Sequence, residues 1–366
     1  MAYVVDLAEP LKPVRAAQKK AERFSPLTRR RLAAFQRNGR ARVSLIGLIM
    51  LVALSLCADV IANDKPLLVV YDGSILFPSM VSYPETRFGG EFQTEADYTD
   101  PFVQNLIDEQ GWRLLAPVPF SHNTVDLVAQ GGGHPAPPSS RHWLGTDDQG
   151  RDIVARLVHG LKVSILVGVA LSAFSAIVGL LAGAVQGYFG GWLDLGFQRF
   201  MELWESLPQF YLLIILSSFL VPSLLTIFVI LALFSWMQLT PVVRAEVLKA
   251  RNLDYVKAAT ALGARRSAII LRHVLPNALV AAITLAPFLV TGSIIALTSL
   301  DFIGFGLPPG APSLGELLQQ ARNNLDAPWI GLTAFGAMAL LLCSLTFVGE
   351  GVRDAFDPRK TTGEGG

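Results

Sequence analysis

Six long apolar runs constrain this chain more than any other feature of its sequence. They are Val43–Ala62, Val163–Tyr188, Phe200–Leu220, Leu224–Val243, Ala278–Leu300 and Trp329–Val348. A bilayer core of about 30 Å needs roughly 20 apolar residues in a helix. One such run would fit a buried helix of a soluble protein. Six of them, in a chain with only 16% charged residues, predict an all-α membrane protein with six transmembrane helices.

The charged residues are unevenly distributed along the chain. Residues 1–42 hold 11 Lys and Arg against 3 Asp and Glu, and residues 244–275 hold 7 against 2, whereas residues 64–160 hold 6 against 13. Lys and Arg concentrate in cytoplasmic segments beside membrane helices. The two basic segments are therefore expected inside, and the four runs between them are an even number, as this requires. The prediction is a cytoplasmic N-terminus and a cytoplasmic C-terminus.

The apolar runs divide the chain into segments. Residues 1–42 form a basic cytoplasmic segment whose arginines, at 29–31, 37, 40 and 42, are expected to touch anionic lipid. Residues 43–62 form the first span, which is read as an uncleaved anchor because no small-residue cleavage site clearly follows it. Residues 63–162 form an external insertion, expected to be mixed and partly irregular, with a strand-like piece at Leu67–Tyr71 and a linker at Gly131–Gly133. Residues 163–350 hold the other five spans and the loop 244–276, and 351–366 form a cytoplasmic tail.

Three features inside the spans carry expectations about packing and chemistry. Small residues at intervals of four in the second span predict close packing against another helix; they are Ser175, Gly179, Gly183 and Gly187. Pro208 and Pro287 are expected to kink the third and fifth spans. Glu202 and Glu205 lie one turn apart near the inner interface. A paired-carboxylate proton relay is one interpretation of them, and a pairing of Glu202 with Arg199 is the favoured one.

The chain lacks the motifs of several enzyme classes. It contains no Gly-Lys dipeptide and hence no P-loop, no His-Glu-x-x-His and no Gly-x-Ser-x-Gly. Its five histidines are scattered, and its two cysteines, Cys57 and Cys343, both fall in predicted spans. We therefore expect no catalytic residue, no metal site, no disulfide and no cofactor bound by this chain.

The segment between the fourth and fifth spans points to a partner. Asp254 is a plausible helix N-cap and Gly263 a plausible C-terminal stop, which predicts about two turns of helix. Four apolar residues share one face of it at helical spacing: Tyr255, Ala258, Ala259 and Leu262. This pattern suits insertion into a groove on another protein. An ordinary amphipathic loop helix is the alternative, and spacing alone leaves the two equal.

The same segment resembles the "EAA" loop of binding-protein-dependent ABC permeases. The resemblance rests on Ala258-Ala259, then Gly263, then Leu275-Pro276. In that family the short helix docks into a cleft of the ATPase subunit and transmits its motion. Lys257 departs from the motif, which has Glu there, and His273 departs where it has Ile. The peptide-permease branch commonly lacks that Glu.

Other segments resemble the dipeptide and oligopeptide (OppC/DppC-like) branch of this family. They are His142–Asp147 with Gly150-Arg151-Asp152, Asp301–Pro309 with Pro312–Glu316 and Pro328-Trp329, and Gly349–Pro358. The external pieces Ala62–Val69 and Tyr71–Ser74 are similar to the YejE-type subgroup, which is associated with uptake of microcin C and oligopeptides. The resemblance covers residues from about 35 to 358.

The resemblance implies a location, a function and partners. The chain is expected in the bacterial inner membrane as a multi-pass permease subunit that takes up oligopeptides, or peptide antibiotics such as microcin C, with 63–162 as a periplasmic insertion. A second permease, an ATPase with two nucleotide sites that binds the ATP and Mg²⁺, and a periplasmic peptide-binding protein are the expected partners. Nucleic acid is not expected to bind.

Roles for individual residues follow from the same resemblance. The residues expected to couple to the ATPase are Asp254, Tyr255, Ala258, Ala259, Leu262, Gly263 and Pro276. The residues expected to face the binding protein are Gly145, Asp147, Gly150, Arg151, Asp152, Gly306, Pro308 and Gly315. Gly292 and Ser293 are candidates to line a pore, with helix packing as the equal alternative. Two other functions compete with this one. The chain could be a secondary transporter that works alone and is driven by an ion gradient, or it could be a permease of the same family for nickel or an opine.

Overall fold

The computed structural model describes residues 26–126 and 133–357, which are mostly helical. In chain order the helices are α1 (Pro26–Arg37), α2 (Gly39–Leu56), α3 (Ala58–Ile61), α4 (Pro101–Gln110), α5 (Ile153–Phe189), α6 (Gly191–Ser206), α7 (Gln209–Phe219), α8 (Leu224–Ser235), α9 (Thr240–Ala250), α10 (Asp254–Ala261), α11 (Arg266–Ile269), α12 (Leu275–Phe302), α13 (Leu314–Asn323) and α14 (Pro328–Phe356). A 3₁₀ turn (Trp236–Gln238) joins α8 to α9, and a π-helical turn (Ile270–Val274) joins α11 to α12.

Within these described residues, five helical segments are long and apolar enough to cross a membrane. They are Gly39–Leu56, Ile153–Phe189, Leu224–Ala250, Arg266–Phe302 and Pro328–Phe356. They correspond to five of the six predicted spans. The all-α membrane fold is therefore confirmed, and the count of six stays a prediction.

The predicted third span, Phe200–Leu220, is divided between α6 and α7. Leu207 has extended backbone angles, with φ −73° and ψ 132°, and Pro208 begins the next helix as its N-cap. Proline lacks the N–H that would continue the helical ladder, and it disfavours the helical conformation of the residue before it. The expected kink at Pro208 is thus a break, which leaves α7 as an apolar helix of 11 residues. Helix α12, by contrast, continues through Pro287.

The packing of α5 favours a sixth crossing nevertheless. Gly179 faces Leu239, Gly183 faces Val243, and Gly187 faces Val247. Since both sets of numbers rise together, α5 and the α8–α9 segment run in the same direction. If two successive spans cross the membrane in the same direction, the chain between them must cross it in the opposite direction. Only residues 190–223 lie between α5 and α8 and can form that crossing. The α6–α7 pair therefore occupies the place of the missing span.

The small-residue stripe of α5 packs as predicted. A Cβ atom added to Gly183 would lie 2.7 Å from the carbonyl oxygen of Thr240, and one added to Gly187 would lie 2.8 Å from the carbonyl oxygen of Arg244. The two backbones touch because no side chain separates them. This contact makes α5 and α9 a single rigid unit.

The two ends of the described chain meet at one end of the helix bundle. Helix α1 packs against the last turns of α14, with the Arg31 guanidinium 4.2 Å from the ring centre of Phe356. This arrangement agrees with termini on the same side of the membrane. Contact of the N-terminal arginines with lipid stays a prediction.

The external insertion is a small mixed unit, as expected. Strands β1 (Leu68–Tyr71), β2 (Ser74–Leu76) and β3 (Gly111–Leu114) form an antiparallel sheet in the order β2-β1-β3. The strand-like piece Leu67–Tyr71 is thereby confirmed as β1. Asp72 and Gly73, with φ of 46° and 69°, make the two-residue turn between β1 and β2, as an Asp-Gly pair favours. Gly131 and Gly132 of the expected linker lie outside the described residues.

The insertion ends earlier than expected. Helix α5 begins at Ile153, ten residues before the predicted start at Val163. The Asp152 carboxylate accepts a hydrogen bond from the Ala155 N–H at 2.9 Å and so caps the helix. The first ten residues of α5 include Arg156, His159 and Lys162, which interrupt the apolar run and moved its predicted start to Val163.

Candidate functional site

The short helix expected between the fourth and fifth spans exists as α10, with eight residues from Asp254 to Ala261. Val256 is its one buried residue. Asp254 is the first helical residue and not the N-cap, which is Leu253 without a side-chain cap. The Asp254 carboxylate still lies in the first turn, where the helix dipole favours negative charge.

Gly263 ends α10 as expected. Its φ is +78°, a left-handed conformation that glycine adopts without steric cost. The Gly263 N–H donates to the Thr260 carbonyl at 3.0 Å, and the Ala264 N–H donates to the Ala259 carbonyl at 3.1 Å. This pair of bonds is the Schellman motif. Nothing lies within 4 Å of a Cβ added to Gly263, so the space beside it is open.

The predicted apolar face of α10 is exposed. Leu262 is 88% exposed and Tyr255 is 44% exposed, while Ala258 is exposed and Ala259 is half-buried. An apolar helix face in water is unfavourable unless another molecule covers it. The structure brings these four residues together on one surface, hereafter the coupling surface.

Two contacts fix α10 to the rest of the molecule. Val256 packs in the same buried cluster as Val247, Ile269 and Val274. The Tyr255 hydroxyl donates to the His273 carbonyl at 3.1 Å and accepts from the Asn277 amide at 2.8 Å. Helix α10 is thus held at its base against α9 and against the start of α12.

Pro276 lies at the start of α12, directly after the π-helical turn. Because proline has no N–H, the carbonyl of residue 272 lacks its ordinary helical donor, which fits the wider π geometry there. Pro276 thus shapes the junction between α10 and the fifth predicted span without belonging to the coupling surface.

Two arginines tie the end of α9 to the cytoplasmic end of α5 and to α6. Arg244 donates from Nε and Nη2 to the two carboxylate oxygens of Asp194, at 2.6 and 2.7 Å. Arg251 donates from Nη1 to the carbonyl oxygens of Gly187 and Tyr188, at 3.1 and 3.3 Å. A force on α10 therefore reaches three helices through short, fixed links.

The external end holds a buried cluster of charged residues. Arg151 donates to Asp147 at 2.7 Å and to Glu316 at 3.0 Å. Arg156 is fully buried and pairs with Glu316. Its guanidinium also donates to the carbonyl oxygens of His122, Gly310 and Ala311, at 3.0 to 3.2 Å. This cluster, hereafter the external anchor, joins α5, α13, the 301–313 loop and the insertion.

The residues expected to face the binding protein need a correction. Seven of the eight are buried, namely Gly145, Asp147, Gly150, Arg151, Asp152, Gly306 and Gly315. Only Pro308, on the 301–313 loop, is partly exposed. Asp147 and Arg151 belong to the external anchor, and Asp152 pairs with His142 at 2.8 Å besides capping α5. Charged groups in a protein interior need partners, and these residues find them within the chain. They support the external surface and do not form it.

Neighbouring groups shift the pKa of two external side chains. A hydrogen bond from Lys162 lowers the pKa of the Asp59 carboxyl below its usual range. Burial, with smaller contributions from the neighbouring His159 and Arg156, lowers the pKa of His122 to about 4. His122 therefore stays neutral while its carbonyl binds Arg156.

The favoured interpretation of Glu202 and Glu205 is a pairing of Glu202 with Arg199, and the structure shows this pair. The Arg199 guanidinium pairs with Glu202 on the surface of α6. Glu205 lies on the wall of a cleft near Gln209 and Gln238. Nothing in this geometry joins the two carboxylates as a proton relay.

Comparison with known proteins identifies the family. Residues 175–362 match the family described as binding-protein-dependent transport system inner membrane component. The chain belongs to this family. As a member, it is an inner-membrane ABC permease, and α10 lies within the matched residues.

Relatives of this inner-membrane permease match along most of its length. The inner membrane ABC transporter permease protein YejE of Escherichia coli (strain K12) is 51% identical, over 92% of this chain and 99% of that protein. The peptidoglycan transport system permease protein YejE of Agrobacterium fabrum is 47% identical, over 98% and 100%. The oligopeptide transport system permease protein OppC of Mycobacterium tuberculosis is 34% identical, over 69% and 87%. The expected YejE-type subgroup is confirmed.

A solved structure also aligns with this permease. The MetNI methionine ABC transporter, in inward-facing conformations, gives a TM-score of 0.47 at 18% identity, over 55% of this chain and 97% of that chain.

Sequence reasoning missed the residues that hold the site. Arg156 and the Asp194–Arg244 pair were not singled out. An arginine in the first turn of a long apolar helix, as Arg156 is, was the available signal, because a charge there needs a partner. That partner, Glu316, is 160 residues further along the chain. Only the folded structure shows that the two side chains meet.

Proposed function

We propose that this chain is one of two permease subunits of an ABC importer that carries peptides into the cell, and that α10 couples it to the ATPase. The coupling surface is the observation that carries this proposal. It is apolar, exposed and fixed at its base to α9 and α12. These properties suit an element that another protein covers and pushes.

The charge pattern and the missing P-loop support the assignment of ATP hydrolysis to a separate subunit. ATP and Mg²⁺ would bind an ATPase with two nucleotide sites (YejF-like), and the chain itself would catalyse no reaction. A second permease (YejB-like) would complete the path, and a periplasmic peptide-binding protein (YejA-like) would deliver the cargo. Membrane lipids would surround the spans.

The cargo class is proposed from the relatives' names. One YejE is named for peptidoglycan transport and OppC for oligopeptide transport. Peptide bonds are common to both kinds of molecule, so we infer a peptide cargo, with peptide antibiotics such as microcin C as one member of that class. The binding protein would select the peptide.

The test is transport by the assembled system in proteoliposomes. With all four kinds of subunit present, uptake of a labelled oligopeptide is expected only with ATP and the binding protein. Ala259→Glu places a charge on the coupling surface and is expected to reduce ATP-dependent uptake at least about tenfold. Lys257→Glu introduces the same side chain at an exposed position on the opposite face of α10 and is the matched control.

Two outcomes would overturn the proposal. Full uptake by Ala259→Glu would remove α10 from the coupling role. Uptake by the purified chain alone, driven by an ion gradient without ATP, would make the chain a secondary transporter.

A further inference from the structure

Three clefts lie in a column along α7, α8 and α12. The external cleft has a volume of about 390 Å³ and reaches Ile230 on α8. The central cleft, of about 30 Å³, begins at Leu231, and the inner cleft, of about 220 Å³, lies beside Phe234 and Met237. Along α8 the walls of the external cleft precede those of the other two, and the central and inner clefts lie side by side, since both include Gln209 and Gln238.

Two glutamines join the lower clefts. Gln209 and Gln238 line both the central and the inner cleft. Gln238 lies towards the inner end of the predicted span Leu224–Val243, six residues before the cytoplasmic segment begins at Arg244. The central cleft also contains the hydroxyls of Ser175, Ser235 and Ser293. Polar groups from four helical segments therefore converge at this depth.

Both glutamines are exposed, and within the described residues neither carboxamide makes a hydrogen bond to the rest of the chain. Placing an unpaired amide in hydrocarbon costs roughly 2 kcal/mol or more. A lipid-facing position is therefore unfavourable for both. Water, a polar cargo or a polar partner must lie against them in the assembled protein.

The broken helix supports the same conclusion. Gln209 is the first residue of α7, directly after the break at Leu207–Pro208. Irregular backbone at membrane depth is tolerated only where protein buries it or where it lines a water-filled cavity. Here the break borders the inner cleft.

The charges along the column identify the ligand chemistry. All residues that line the central cleft are uncharged. Carboxylates appear only towards its two ends, with Glu316 at the external cleft and Glu205 at the inner one. A carboxamide both donates and accepts hydrogen bonds, as a peptide group does. A neutral constriction with two carboxamides suits the backbone of a peptide and is indifferent to its side chains.

We propose that Gln209 and Gln238 line the translocation path and hydrogen-bond to the backbone of the passing peptide. This inference rests on the proposed peptide function and adds the residues and the mode of recognition. Gly292 and Ser293 lie on the same wall, so their earlier assignment to a pore is proposed here again. The uncharged lining of the central cleft would let one path accept peptides of different side-chain charge.

The first experiment measures water access in the assembled transporter. Cys57→Ser and Cys343→Ser remove the two exposed thiols. Gln209→Cys and Gln238→Cys are then exposed in proteoliposomes to a charged, membrane-impermeant thiol reagent. Ile177→Cys is the matched control, because Ile177 is 62% exposed and lies in the apolar middle of α5.

We expect both glutamine positions to react at least about tenfold faster than the control during ATP turnover, and a transported peptide to slow the reaction. Labelling as slow as at Ile177→Cys would overturn the proposal, and would favour burial of the amides against the second permease. Peptide uptake is measured in the same vesicles. Fast labelling without uptake would contradict the peptide function alone and leave the water-lined path standing.

The second experiment tests backbone recognition. Gln238→Glu adds a negative charge to the neutral constriction and is expected to reduce uptake of an acidic peptide about tenfold more than uptake of a neutral peptide of equal length. Gln238→Asn keeps the amide and is expected to preserve the ratio of the two. If Gln238→Glu reduced the uptake of both peptides equally, the proposed contact between Gln238 and the passing peptide would be overturned.

Discussion

The two ends of this permease are stabilised in opposite ways. At the external end, Arg156 is 0% exposed and its guanidinium binds Glu316 and three carbonyl oxygens. At the cytoplasmic end, α10 buries one residue, Val256, and leaves Leu262 88% exposed. The external end pairs its buried charges within the chain, whereas the coupling surface leaves apolar groups uncovered.

This difference indicates which end depends on another protein for its final form. Buried charges that are paired internally resist movement, since separating them leaves a charge without a partner. A short helix with one buried side chain has little packing of its own and takes its position from what it contacts. The external anchor is therefore held within the chain itself, whereas α10, in its proposed role, would take its final position from the ATPase.

The largest effect is expected from removing the centre of the external anchor. Arg156→Met keeps the approximate length of the side chain but removes the donor of three carbonyl groups and one of the two arginines that pair with Glu316. Breaking a buried pair costs about 3–5 kcal/mol, so the unfolding temperature of the purified chain should fall by several degrees or more. Arg199→Met, which breaks the exposed pair with Glu202, should change stability by less than about 1 kcal/mol. Equal effects of the two variants would contradict the comparison.

A smaller effect is expected from pH, and only at the external end. The folded pKa of His122 is about 4, below the unfolded value of about 6.5. Between these values the unfolded chain binds the proton and the folded chain does not, so stability falls as the pH drops from 6.5 towards 4. After allowance for solvent screening the loss is roughly 1–2 kcal/mol.

The variant His122→Gln isolates this contribution. The unfolding temperatures of both proteins are measured at pH 7.5 and at pH 5, and the decrease should be smaller for His122→Gln. The same decrease in both proteins would show that His122 is not responsible for the pH dependence.

The smallest effect on stability is expected at the coupling surface. Leu262→Gln replaces an exposed apolar side chain with a polar one, and should change the free energy of unfolding by less than about 0.5 kcal/mol. Its binding to the ATPase should nevertheless weaken about tenfold, because the leucine would be buried there. Lys257→Gln changes an exposed residue on the opposite face of α10 and serves as the control in a co-purification assay. A large drop in unfolding temperature for Leu262→Gln would show that α10 packs within its own chain.

The coupling surface was predictable from sequence because its information is local. Helix propensity, the spacing of Tyr255, Ala258, Ala259 and Leu262, and the stop at Gly263 lie within ten residues. The external anchor was not predictable, because its members come from four distant segments. Resemblance drew attention to Asp147 and Arg151 but suggested an exposed role, since a motif does not show whether a charge points outwards or inwards.

The sequence by itself determined that this chain crosses a membrane, where most of its spans lie, and that a short helix ends at Gly263. These properties depend on apolar run length, charge bias and local backbone preference. Only the tertiary structure decided that Pro208 divides a span into α6 and α7, that Arg156 meets Glu316, and that Gln209 lies beside Gln238. Those outcomes depend on contacts between residues far apart in the chain, where burial makes each unpaired polar group costly.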